Sequence, residues 1–127
     1  MEQKKLLIEE TKKTPLIKGD LEEGFVLIQG KSIPEDAKDF YLPLFNWMVD
    51  LVETSAPSIK IQVDLEYFNT STSSILLNLF RLIEKISHKK KAEIIWIYEE
   101  DDIDMEEVGL DYKLMIGDIL TLKSKRI

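Results

Sequence analysis

Residues 59–83 read IKIQVDLEYFNTSTSSILLNLFRLI. From Ile59 to Tyr67 every odd position is apolar or aromatic and every even position is polar. Side chains on a strand alternate between its two faces, so this pattern predicts a strand with one face in a core and one in water. From Ile75 the period changes. Ile75, Leu76, Leu79, Phe80, Ile83 and Ile86 recur at helical spacing and predict an amphipathic helix that ends near Lys89, Lys90 and Lys91. A half-polar central strand argues against a parallel sheet covered on both faces, which requires apolar residues on both. The expectation is an α/β fold with helices packed mainly on one face of the sheet.

Working outward, Glu93 to Tyr98 (EIIWIY) predicts a strand, and Asp101 onward an acidic helix with Ile103, Met105 and Val108 as its apolar positions. Gly109 or Gly117 should interrupt that helix, and Ile119–Leu122 is a candidate last strand. Toward the N-terminus, Thr14–Lys18 and Phe25–Ile28 read as a hairpin, with a turn starting at Gly19-Asp20 and Gly30 closing the second strand. Ser32 with Glu35 three residues on fits a capping box, and Pro34 suits a first turn. The helix that follows carries Ala37, Phe40, Tyr41, Leu44, Phe45, Met48, Leu51 and Val52 on one face; Pro43 should bend or split it, and Ala56-Pro57-Ser58 should end it. Residues 1–13 read as a polar lead-in of uncertain order. Strands alternating with helices predict βαβ crossovers and a mixed sheet of about four to five strands in one domain.

Composition excludes several functions. The 127 residues include no cysteine and one histidine, His88. Disulfides, thiolate catalysis and His clusters are therefore out, and a reducing cytoplasm is the expected compartment. No apolar run is long enough to span a membrane, and the N-terminal triplet Leu6-Leu7-Ile8 is too short for a signal peptide. The formal net charge of −7 opposes nucleic-acid binding, which depends on neutralising phosphates. The lysines at 89–91 fit a helix C-terminus, where cations complement the dipole. The glycines stand apart, so no phosphate-binding loop is present, and His88 lies far from the hydroxyl-rich segment. The run Glu99-Glu100-Asp101-Asp102-Ile103-Asp104 lacks the glycine and ligand spacing of a calcium loop. It reads as an acid-rich helix start or an acidic partner surface, contributed by Glu99, Glu100, Asp101, Asp102 and Asp104. No catalytic residue, metal site or cofactor is expected.

Between strand and helix stand six small polar residues, Asn69, Thr70, Ser71, Thr72, Ser73 and Ser74. One or two would satisfy the free N–H groups of a first helical turn. The surplus suits a switch equally well, because a helix N-terminus accommodates a phosphate and the modification adds about −1.5 to −2 charges. A cap within a constitutive binding module remains the alternative. A hydrolytic role ranks last, since no base is positioned to activate a hydroxyl.

Several blocks, in order and spacing, resemble one family. They are Thr14-Pro15; Gly30, Ser32, Pro34-Glu35-Asp36, Phe40-Tyr41, Pro43 and Trp47; Leu65 with Tyr67-Phe68-Asn69-Thr70-Ser71; Trp96 with Tyr98-Glu99-Glu100-Asp101-Asp102; and Gly109 with Asp111-Tyr112. From about Thr14 to about Leu122 the chain resembles the SiaC family of bacterial regulatory phosphoproteins, whose fold is similar to the STAS domain of anti-sigma-factor antagonists. The resemblance implies a STAS-like mixed sheet and a partner-switching protein rather than an enzyme. It implies phosphorylation of Thr70 by a GHKL-type serine/threonine kinase and reversal by a PPM-type phosphatase, with Ser71 as the rival site. It also implies an output partner such as a diguanylate cyclase, linking the switch to cyclic di-GMP and biofilm behaviour. Tyr67, Phe68, Asn69, Ser71 and Thr72 would form the turn and partner interface. Related sequences often carry a lysine where this chain has Ser74.

Overall fold

The computed structural model describes residues 4–52 and 58–126. In chain order the elements are β1 (Lys5–Ile8), β2 (Leu16–Asp20), β3 (Phe25–Ser32), α1 (Ala37–Val52), β4 (Ser58–Phe68), α2 (Thr70–Ile86), β5 (Lys91–Glu99), α3 (Ile103–Ile116) and β6 (Leu120–Lys125). They build one six-stranded mixed sheet whose spatial order, β1-β2-β3-β4-β5-β6, follows the chain. β1, β2 and β3 pair antiparallel; β3 to β6 pair parallel. Each parallel step is a crossover through one helix in the same direction, so the right-handed rule places α1, α2 and α3 on one face.

The alternation that predicts β4 holds. Ile59, Ile61, Val63 and Leu65 are buried in the core, with Tyr41, Leu44, Met48, Leu76, Leu79, Phe80, Ile94 and Trp96. On the opposite face Lys60 is exposed and Gln62 half-buried. Asp64 there is buried, because Lys125 Nζ donates to both its carboxylate oxygens at 2.8 and 3.0 Å and Gln29 Nε2 reaches one at 3.4 Å.

The structure corrects several expectations. The sheet has six strands rather than four to five, because residues 5–8 of the segment read as a polar lead-in form β1. Its Leu6 is buried, and its backbone pairs with residues 17–20 of β2; Met1, Glu2 and Gln3 lie outside the described residues. Gly19 and Asp20 belong to β2, and the turn starts at Leu21. The Asp20 carboxylate accepts from the backbone N–H groups of Glu22 (2.9 Å) and Glu23 (3.2 Å), and Gly24 takes φ +67°. Gly19 is held in the strand by pairing with Leu6 and Val26, and the Trp47 ring lies so close that any β-carbon there would overlap it. Ser32 does not open α1. Asp36 does, accepting from Asp39 N at 3.1 Å, while Ser32 is the last residue of β3 and fully buried. α1 runs unbroken through Pro43; the carbonyl left without its helical donor belongs to Asp39, an exposed residue that water reaches. Of the expected stop at residues 56–58, Ala56 and Pro57 lie outside the described residues and Ser58 opens β4. α2 starts at Thr70, so the hydroxyl-rich segment is the first turn of the helix rather than a loop before it. Gly109 does not interrupt α3. It is buried inside that helix with Trp96 pressed against it, and the helix ends at Gly117, φ +103°.

Candidate functional site

The site grows from the end of β4. Tyr67 is exposed, Phe68 half-buried, and the chain turns into α2 at Asn69. Asn69 has extended backbone angles (φ −89°, ψ 172°), and its side-chain oxygen accepts from Thr72 N at 3.0 Å. Asn69 N donates to Ser32 O at 3.0 Å, and its side-chain amide reaches Pro34 O at 3.4 Å. The cap is therefore an asparagine that also ties α2 to the end of β3. Asn69→Ala removes it and is expected to lower unfolding stability by about 1 kcal/mol in urea denaturation.

Helix phase divides the hydroxyls. Thr72, expected at a partner interface, is fully buried. Its hydroxyl lies 2.8 Å from Ser32 Oγ and donates to Ser32 O at 3.1 Å, and Ser32 Oγ lies 2.6 Å from the Tyr41 hydroxyl. The three hydroxyls form a closed buried cluster joining β3, α1 and α2. Burial pushes the Tyr41 pKa from its ordinary 10.0 up to about 12, against a smaller lowering by the Ser32 bond. Folded Tyr41 holds its proton longer than unfolded Tyr41. Its contribution is complete below pH 10 and is lost as pH rises through 12. Stability should fall over that window by about 1.4 kcal/mol per pH unit from this group. Denaturant titrations of Tyr41→Phe should show a shallower decline than the parent.

Thr70, Ser71 and Ser74 remain exposed. None of the described residues hydrogen-bonds the Thr70 hydroxyl, and the helix offers no acceptor for the N–H groups of Thr70 and Ser71. Thr70 and Ser71 face different surroundings. Thr70 lines a groove of about 410 Å³ with Glu66, Tyr67, Phe68, Asn69 and Ser73 on one side and Asp102, Asp104, Met105 and Val108 on the other. Ser71 lines a separate groove with Glu35, Asp36, Ala37, Lys38 and Ile75.

The far wall of the Thr70 groove is α3, and aromatic residues hold it there. Trp96 Nε1 donates to Met105 O at 2.9 Å. The Tyr112 hydroxyl donates to Ser73 O at 2.8 Å, and burial raises its pKa. Phe68 and Phe80 meet Trp96 edge-on, with centroids 6.0 and 6.4 Å away. The Tyr98 hydroxyl donates to Glu106 at 3.0 Å, and that bond to a carboxylate raises the Tyr98 pKa.

The expected acidic surface is split. Asp102 caps α3, accepting from Met105 N at 3.1 Å, and with Asp104 it lines the Thr70 groove. Glu99 closes β5 beside Lys125 and lines a smaller cleft with Asp64, Glu66 and Tyr98. Glu100 and Asp101 are exposed in the turn between. Of the groove residues, Ser73 stands out in the sequence only as one of the six small polar residues, and Glu66, Met105 and Val108 do not stand out as site residues. Met105 and Val108 share a helical face three residues apart, the one signal that pointed to them. Among the described residues no group of three or more His, Cys, Asp or Glu is arranged to hold a metal, and no helix is long and apolar enough to cross a membrane.

The fold has relatives. A protein of Pseudomonas aeruginosa strain UCBPP-PA14, described as uncharacterized, is 24% identical over 105 residues, covering 81% of this chain and 82% of its own. The structure of SiaC of Pseudomonas aeruginosa superposes with a TM-score of 0.87 at 20% identity, over 97% of this chain and all of that one. A crystal structure of the diguanylate cyclase SiaD in complex with its activator SiaC, from the same organism, gives 0.88 at 21% identity, over 94% of this chain and 99% of that one. The model of the SiaC family regulatory phosphoprotein matches residues 8–124. With nearly the whole chain inside that match, this is a regulatory protein and not an enzyme, and it belongs to the SiaC family of regulatory phosphoproteins.

Proposed function

We propose that the chain is a cytoplasmic partner-switching protein, acting as one STAS-like domain, whose state is set by reversible phosphorylation of Thr70. The observation that carries this reading is the division of labour in the first turn of α2. Asn69 caps, Thr72 anchors, and Thr70 stands exposed with its hydroxyl unengaged. A phosphate there meets the N-terminal end of α2, which favours an anion. It also shares the groove with Glu66 and faces Asp102 and Asp104 across it. A group of about −1.5 to −2 charges added to an acid-lined groove changes what can bind over it.

The family supports a dedicated GHKL-type kinase as writer and a PPM-type phosphatase as eraser. The solved complex of the relative SiaC with SiaD supports a diguanylate cyclase as the output partner. Tyr67, Phe68 and Asn69 surround the phosphate and form the interface, with Asp102 and Asp104 as the acidic side of the groove and Ser71 extending the surface toward the groove beside α1. The reading is tested by mass-spectrometric phosphosite mapping of the protein isolated from its own cells. Phosphate on Thr70 is the expected result. Phosphate confined to Ser71 moves the switch to the groove beside α1, and no phosphate with the kinase present leaves a constitutive binding module.

A further inference from the structure

α3 is apolar on two opposite faces. Met105, Gly109, Tyr112 and Ile116 are buried against the sheet and α2. Opposite them, Ile103, Leu110 and Leu114 point outward, 66%, 47% and 86% exposed. A surface helix normally keeps that side polar. These residues are not scattered. With Glu107 they follow spacings of four, three and four, the heptad seam by which one helix receives another at about 3.5 residues per turn. The seam carries a carboxylate at one of its four positions, and Asp104 and Asp111, both exposed, flank it. Lys113, the one cation of α3, is turned away to Leu120 O at 2.7 Å and lies 3.9 Å from Asp118.

We propose that the outer face of α3 is a docking surface for an amphipathic helix of a partner protein. That helix presents aliphatic side chains to Ile103, Leu110 and Leu114 and a lysine or arginine to Glu107. Charge decides between this occupant and a second copy. Two copies of a chain at net −7 would bring Asp104, Glu107 and Asp111 of both into one interface, and like charges at close quarters oppose pairing. Ile103, Glu107, Leu110 and Leu114 do not line the Thr70 groove, which the surface meets only at Asp104, so the proposal stands whether or not Thr70 is the switch.

The test uses a synthetic amphipathic helical peptide with leucines at its a and d positions and a lysine placed to meet Glu107. Isothermal titration calorimetry should show binding to the full chain. The double variant Leu110→Ser, Leu114→Ser should weaken it by about tenfold or more, with only a small drop in the unfolding midpoint, because Leu114 is almost wholly and Leu110 about half in water. Glu107→Lys should weaken the lysine peptide and restore binding of its glutamate counterpart. Absence of peptide binding, binding unaffected by these substitutions, or a charge exchange without rescue would overturn the proposal. So would concentration-dependent self-association of the parent that Leu114→Ser abolishes, since it would make the occupant a second copy.

Discussion

Thr70→Ala is expected to fold like the parent, unfolding within about 0.5 kcal/mol of it, and to take up no phosphate in the first turn of α2. The small stability effect follows from the geometry. Asn69, not Thr70, accepts the first-turn N–H, and Thr72, not Thr70, is buried. If Thr70 were the cap, its loss would cost about 1 kcal/mol; that cost is assigned to Asn69→Ala instead. The two substitutions therefore separate cap from switch in adjacent residues. Urea denaturation reads the first property. Phosphate-affinity electrophoresis of protein expressed in its native cells reads the second. Thr70→Glu should shift partner binding in the same direction as phosphate but less, because a carboxylate carries less charge and fewer acceptors. Equal phosphate uptake by parent and Thr70→Ala would remove Thr70 from the mechanism, and Ser71 would be tested next.

Trp96→Ala is expected to be the most destabilising single change, by about 3–5 kcal/mol. The ring is 1% exposed and lies among Phe68, Phe80 and Tyr112, and its N–H holds the Met105 carbonyl. It also fills the space against the missing side chain of Gly109. Removing it leaves a cavity under α3 and frees the wall of the Thr70 groove. The urea midpoint should drop, and the amides of α3 should lose hydrogen-exchange protection before those of β4. A loss below about 1 kcal/mol would mean that α3 is held mainly by Tyr112 and the α3–β6 connection.

The sheet was legible where one face is dry. Ile59–Tyr67 alternates cleanly because its two faces meet a core and water, and the apolar stripe of α2 follows the same logic. β1 was hidden because four residues among lysines and glutamates become a strand only through pairing with β2. The capping-box motif at Ser32 misled because a serine hydroxyl has the same sequence signature whether it bonds forward to a helix or backward into a core. At the site, the crowd of small polar residues was visible but its partition was not. Thr70 and Thr72 are the same residue type two positions apart. About 100° of helical rotation per residue puts one in water and the other under Ser32. That phase is fixed by where the helix starts, and the apolar stripe, which begins at Ile75, does not mark the start at Thr70.

The order of strands along the sheet also bears on how the chain is made. Every strand lies next to its neighbour in sequence, so a growing chain can lay down the β1–β3 meander first and then add one helix–strand unit at a time to an edge already built. No strand has to be inserted between two others, and closing loops stay short, conditions that favour fast folding for a mixed sheet. Until β6 emerges, the free edge is β5, with Ile95 and Ile97 on the face without helices. The last strand replaces that edge with one bearing Lys123 and Lys125, charges of the kind that discourage further strand addition. Its Lys125 then closes on Asp64, 61 residues earlier, so the buried acid of the central strand gains its cation only after β6 has been made.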